Sequence, residues 1–305
     1  RQRPGPSTKY SQQRKSVPSI RSCDDRSMDK LTAGLIGSHI QKTRLPRALK
    51  MLCEEAGIQF QFELIDTDGI TDFHFDATVD DLQARNWSGV TVTHPYKTHA
   101  ARYAGETLLP EIARLGASNT LVFGPPLSGH NTDFTGFISA WRAGMGDTSP
   151  GKVAMAGAGG VARALVFALA DLGATSISIW DVEPGKAEQL AQECGGPARA
   201  CSPEQANTAV NTADGLVNAT ALGMDHAPGM AFEPDHIGPQ SWAFDAVYTP
   251  TNTAFLKTCR AAGLECLTGF DLFCHMAIGS FEAYTGREVD KPSALQKLSG
   301  LRPAD

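Results

Sequence analysis

Residues 152–181 restrict the fold of this chain more than any other stretch. Lys152-Val153-Ala154-Met155-Ala156 has the apolar run of a buried strand, and Gly157-Ala158-Gly159-Gly160 turns out of it. Residues 161–172 carry the pattern of a helix stopped at Gly173, and 176–180 read as a second strand. Strand, helix and strand in that succession form a βαβ unit, and such units build a parallel sheet with helices on its faces. The turn has the form Gly157-x-Gly159-x-x-Ala162. Between a strand and a helix, glycines let the backbone approach a pyrophosphate, and the free N–H groups of the helix receive it. Gly157, Ala158, Gly159, Gly160, Val161 and Ala162 are therefore candidate cofactor-binding residues. Asp181 follows the second strand, 24 residues after Gly157. A carboxylate there accepts from both hydroxyls of an adenosine ribose and repels a 2′-phosphate, which favours NAD over NADP.

The first half of the chain alternates in the same manner. Strand patterns at 31–37, 58–64, 89–93 and 120–123 are interleaved with helical ones at 45–56, 79–84 and 111–115. Further strands are expected at 214–218 and 242–247, and helices at 253–262 and 270–284. The fold class is α/β, and 305 residues suit two domains. A net charge of −6 disfavours nucleic acid as a main partner. No run of about 18 apolar residues is present, so no membrane-spanning helix is expected. The seven cysteines (Cys23, Cys53, Cys194, Cys201, Cys259, Cys266 and Cys274) are scattered, with no C-x-x-C pair. That usage suits a reducing cytoplasm and argues against a structural metal site. Residues 1–27 differ in kind: seven basic side chains against Asp24 and Asp25 give +5, leaving −11 for the remainder. With almost no apolar content this segment is expected to be disordered. It reads as sequence added ahead of Met28 by cloning or upstream translation, with a transit peptide as the alternative.

Three short runs precede the βαβ unit. They are Gly89-Val90-Thr91-Val92-Thr93-His94-Pro95-Tyr96-Lys97, Gly116-Ala117-Ser118-Asn119-Thr120, and Asn131-Thr132-Asp133. An alcohol–ketone redox reaction needs one group to exchange the hydroxyl proton while a cofactor exchanges the hydride. Lys97 suits that task, and Asp133 can orient the lysine and accept from a substrate hydroxyl. Asn119 and Thr93 supply neutral hydrogen-bonding groups suited to a polyol. A lone lysine after Pro-Tyr is ordinarily just solvated; the order and spacing of the whole set make Lys97 and Asp133 catalytic candidates.

With these runs in view, residues 31–287 resemble the shikimate/quinate dehydrogenases. The family's G-x-N-V-T-x-P-x-K run is matched by Gly89 to Lys97, with Thr91 in place of asparagine. Its G-A-x-N-T and N-T-D-x-x-G runs are matched at 116–120 and 131–136. Asn218-Ala219-Thr220-Ala221-Leu222-Gly223-Met224 is similar to the N-A-T-x-x-G-M loop near the nicotinamide, and Asp245-x-x-Tyr248-x-Pro250-x-x-Thr253 to a further signature. The resemblance implies an N-terminal α/β substrate domain (28–134), a Rossmann-type NAD(P)-binding domain (135–267), and a C-terminal helical segment (268–300) that returns to the first domain. It implies reversible hydride transfer between a cyclic hydroxy acid and its ketone, with Lys97 and Asp133 catalytic and Thr93, Asn119 and Tyr248 contacting substrate. Asn218, Thr220, Gly223, Met224 and Gly269 become further cofactor-binding candidates. A homodimer is compatible with it.

The departures cluster at the substrate end. The family's S-x-S-P segment, whose hydroxyls hold the substrate carboxylate, falls on Thr43-Arg44-Leu45-Pro46. Thr43 stays a substrate-binding candidate, but Leu45 cannot hydrogen-bond, and one such bond to a charged group contributes about 1.5–3 kcal/mol. Arg44 or Lys42 could compensate by a charge-assisted contact. The family's substrate-binding glutamine sits seven residues after a glycine. Counting from Gly269 reaches Met276, with His275 one residue earlier as the candidate replacement donor. Trp180-Asp181-Val182-Glu183 replaces the N-R-T type run of the NADP-using biosynthetic members, so NAD is the expected cofactor and catabolic oxidation the expected direction. A paralogue acting on a different cyclic polyol or amino analogue, and a non-catalytic nucleotide-binding sensor, remain as alternatives.

Overall fold

The structure, a computed structural model, describes residues 28–303. The segment before Met28, with Cys23, lies outside them.

Two sheets organise the molecule. The first is built from β1 (Lys30–Gly37), α1 (Leu45–Glu55), β2 (Gln59–Asp66), α2 (Phe75–Ala84), β3 (Gly89–Val92), α3 (Lys97–Ala104), α4 (Pro110–Ala113), β4 (Thr120–Val122) and β5 (Ser128–His130). Its order is β2-β1-β3-β4-β5, with β2, β1 and β3 parallel and β4 and β5 antiparallel. β1 is buried almost throughout, as its unbroken apolar run requires of a strand covered on both faces. α1 places Leu45, Ala48, Leu49, Leu52 and Cys53 on one buried stripe at helical spacing, with Pro46 in its first turn, where a missing N–H costs nothing.

The long helix α5 (Thr132–Met145) leads to the second sheet. It was not among the helices expected from the sequence, although Phe134, Phe137 and Trp141 bury at helical spacing and Asn131 caps its first turn. The second sheet comprises β6 (Lys152–Ala156), α6 (Gly160–Asp171), β7 (Ser176–Trp180), α7 (Lys186–Cys194), β8 (Ala198–Ala200), α8 (Ala206–Asn211), β9 (Gly215–Asn218), β10 (Trp242–Asp245), α9 (Ala254–Ala261) and β11 (Glu265–Thr268). All its neighbours are parallel, in the order β11-β10-β9-β6-β7-β8. Read from β6, this is the doubly wound order 3-2-1-4-5-6, whose direction reverses between β6 and β9. Ligands bind such sheets at that reversal, beyond the carboxyl ends of the strands.

α10 (Gly269–Thr285) leaves β11 through a reciprocal cap between Thr268 and Asp271 and crosses back to the first half. Phe270, Phe273, Ala277, Ile278 and Phe281 join Leu31, Leu49 and Leu52 in one buried cluster, closed by Ala294 and Leu298 of α11 (Lys291–Leu298). α10 also packs along α5. The catalytic candidates thus sit on elements braced from both halves.

Candidate active site

A cleft of about 800 Å³ opens between the two sheets. Lys97, Asp133, Asn119, Thr93, Thr43 and Tyr248 all line it, together with Val161, Met224 and Gly269. Lys97 is the first residue of α3 and Asp133 the second of α5. Lys97 Nζ donates to Asp133 Oδ2 at 2.6 Å, and the two side chains are 16% and 14% exposed, dry enough to pair yet reachable from the cleft. The first turn of a helix is a favourable place for the Asp133 carboxylate.

Backbone and side-chain bonds lock the three short runs together. Ser118 N–H donates to the Lys97 carbonyl at 2.9 Å. Asn131 Oδ1 accepts from Phe134 N–H at 3.0 Å while its Nδ2 donates to the Ala117 carbonyl at 3.0 Å. Asn119 Oδ1 accepts from the backbone and hydroxyl of Thr132 and from Thr120, so its Nδ2 is the donor it can turn to the cleft. Thr91, which replaces an expected asparagine, is buried and bonds the Tyr284 hydroxyl of α10 at 2.7 Å.

Opposite this group, the loop after β10 carries Tyr248 and Thr249. Asp245 fixes that loop: fully buried, it accepts from Asn218 Nδ2, Val247 N–H and the Thr253 hydroxyl at 2.9, 3.0 and 2.6 Å. Burial pushes its carboxyl up to about 6 despite these bonds. Tyr248 stacks on Phe273 with ring centroids 5.5 Å apart, and the Arg44 guanidinium lies 5.9 Å from its ring centre. Burial raises the Tyr248 phenol, and the neighbouring Arg44 opposes the rise.

The nucleotide loop fits a diphosphate. Gly157 has φ +97° and a Cβ there would lie 2.8 Å from the Ala219 carbonyl, whereas the faces of Gly159 and Gly160 are open. Gly160 begins the twelve-residue α6, whose entry carries no side-chain cap. Ala162 is buried behind the loop. Asp181 Oδ2 accepts from Ala158 N–H at 2.7 Å and Oδ1 from Glu183 N–H at 2.8 Å, so the acid is tied to the backbone of the loop. Gly269 sits where a Cβ would fall 2.4 Å from the Ala246 carbonyl, which keeps α10 tight against the cleft.

Among the sequence-based candidates, Gly157, Ala158, Gly159, Gly160, Ala162, Asp181, Asn218, Thr220, Gly223 and His275 are not part of the cleft lining. Asn218 and Thr220 do not line the cleft; their polar atoms bond one another and Leu222, shaping the turn through Gly223 that brings Met224 to it. His275 is a correction. Successive helical residues are about 100° apart, so with Met276 on the cleft His275 faces elsewhere. It lines a separate cavity of about 190 Å³ with Thr135, Ser139, Glu282 and Lys291, where burial lowers its basicity. The sequence reading omitted Ser38, His39, Asp225, His226 and Thr249, which also line the cleft. All five sit within a few residues of the carboxyl end of β1, the 218–224 turn, or Tyr248, which is the signal that could have found them.

Most of the chain is similar to known proteins. Residues 35–121 match the family model of the shikimate dehydrogenase substrate binding domain. A shikimate dehydrogenase (NADP(+)) from Streptomyces avermitilis is 33% identical over 283 residues, covering 90% of this chain and 97% of that protein. The chain belongs to the shikimate/quinate dehydrogenase family. A quinate/shikimate dehydrogenase (NAD(+)) from Corynebacterium efficiens is also 33% identical, over 86% of this chain and 95% of its own length. The solved structure of quinate dehydrogenase from Corynebacterium glutamicum in complex with NAD superposes with a TM-score of 0.83 at 29% identity, covering 89% of this chain and 99% of that one. Shikimate/quinate dehydrogenases are oxidoreductases that work with NAD or NADP, and both cofactors occur among these relatives. No helix among the described residues is long and apolar enough to cross a membrane.

Proposed function

We propose that the chain is an NAD-dependent dehydrogenase that interconverts a cyclic hydroxy acid, shikimate or quinate, with its 3-dehydro ketone. The observation that carries this reading is the 2.6 Å Lys97–Asp133 pair in the same cleft as Val161, Met224 and Gly269. In the oxidation direction Lys97, as the neutral amine, takes the hydroxyl proton and becomes an ammonium, which Asp133 holds in place while it accepts from a neighbouring ring hydroxyl. Asn119 Nδ2, Thr93, Thr43 and Tyr248 orient the ring. The Gly157–Ala162 loop and the α6 entry hold the diphosphate, and Asp181 the adenosine ribose. A bound nicotinamide supplies the hydride acceptor. Residues 28–134, completed by 268–300, form the substrate half, and 135–267 the nucleotide half.

Asp181 supports NAD over NADP, because a 2′-phosphate placed there meets its carboxylate with Glu183 beside it. The test is the initial rate of NAD and of NADP reduction with shikimate and with quinate, each cofactor and acid varied separately. Turnover of either acid with NAD at the higher kcat/KM is expected. A preference for NADP overturns the cofactor assignment, and no turnover of either acid overturns the substrate class.

A further inference from the structure

The cleft is not lined uniformly. The side chains of Leu45, Leu272, Phe273 and Met276 give it apolar surface, and Arg44 lines it as well. Arg44 is half-buried, and among the described residues none of the ion pairs involves it. Its Nη1 donates to the Thr249 hydroxyl at 3.1 Å and its guanidinium lies against the Tyr248 ring. These contacts to neutral groups hold it in place without neutralising its charge. A guanidinium has five N–H donors in a planar fork, so its bonds to Thr249 and to the Tyr248 hydroxyl leave donors for an anion. The Thr43 oxygen accepts from Leu45 N–H at 3.3 Å, so its proton is free to point at the same anion. Lys42 also reaches the cleft but is exposed, where a charge is screened and its chain unfixed.

We propose that Arg44 holds the carboxylate of the substrate, with Thr43 as second donor, and is the residue that makes this enzyme select an acid over a neutral ring alcohol. The assignment rests on the reading of the cleft as the site of a cyclic hydroxy acid dehydrogenase. Arg44 comes from the β1–α1 loop and Thr249 from the loop after β10, so an anion seated on Arg44 also ties the substrate half to the Tyr248 loop.

The test compares kcat/KM for shikimate with that for its analogue carrying a hydroxymethyl group in place of the carboxylate. NAD is saturating, and the unmodified enzyme is run beside Arg44→Leu and Arg44→Lys. For Arg44→Leu the acid is expected to lose about tenfold or more in kcat/KM, mostly through KM, and the neutral alcohol much less. Arg44→Lys should fall between, with the KM for NAD unchanged in both. If Arg44→Leu fails to fold, the Lys variant alone carries the comparison. An equal loss for acid and alcohol overturns the proposal and leaves Arg44 a support for the Tyr248–Thr249 loop. Failure of the unmodified enzyme to turn over either compound instead overturns the functional reading on which the proposal stands.

Discussion

Asp245→Asn changes one charge in the middle of the scaffold and has a calculable signature. Asp245 is fully buried, and burial outweighs its three hydrogen bonds to raise its pKa from 3.8 to about 6. Because the folded value lies above the unfolded one, the native state binds the proton more tightly. The contribution of Asp245 to stability is therefore greatest below about pH 4 and is lost as pH rises through about 6. At about 1.4 kcal/mol per unit, the loss amounts to roughly 3 kcal/mol between those limits. Asparagine has nearly the same shape and keeps an Oδ1 acceptor for Asn218 Nδ2 and Val247 N–H, but it cannot ionise. The variant should match the parent near pH 4 and exceed it by up to about 3 kcal/mol near pH 7. Urea unfolding followed by tryptophan fluorescence reads this, with Trp242 on the same strand as Asp245. Subtracting the parent from the variant at each pH cancels the other titrating groups. A difference that stays constant from pH 4 to 7 would refute the reasoning, because Asp245 would then titrate alike in the folded and unfolded chain.

Two further substitutions bear on the cleft. Asp181→Ala should raise the KM for NAD about tenfold and that for NADP much less, because it removes both the ribose acceptor and the charge facing a 2′-phosphate; an unchanged ratio of the two kcat/KM values speaks against that role. His275→Ala should leave kcat and both KM values within about twofold, since the imidazole lines the other cavity; a selective rise in KM for the acid would return His275 to the site.

The parts legible in the sequence are those whose geometry is set locally. The βαβ unit at 152–181, the strand runs at 31–37 and 89–93 and the helices at 45–56 and 270–284 recur as β6–α6–β7, β1, β3, α1 and α10 within a residue or two at each end. Their strand runs or helical stripes are long enough to fix type and face. The Lys97, Asn119 and Asp133 runs were recognisable because each is a short contiguous motif, and in the fold backbone and side-chain bonds join one run to another. Less legible was what depends on side-chain direction. Thr132–Met145 carries a capping asparagine and apolar spacing, but Gly136 and Gly144 and a polar start obscure the helix. Whether His275 or Met276 faces the cleft is a rotation of α10, fixed by how Phe273, Ala277 and Phe281 pack on the first half. Arg44 could be weighed beside Lys42 but not chosen, since its contact to Thr249 joins residues 205 positions apart.

The most direct test of the account is the appearance of NADH when NAD and shikimate or quinate are mixed with the enzyme and with Lys97→Met, each at saturating concentrations. Turnover by the unmodified enzyme and a kcat lower by about 100- to 10,000-fold in the variant, with NAD binding retained, are expected. An unchanged kcat in Lys97→Met would contradict the account, and the proton exchange would then belong to another group in the cleft.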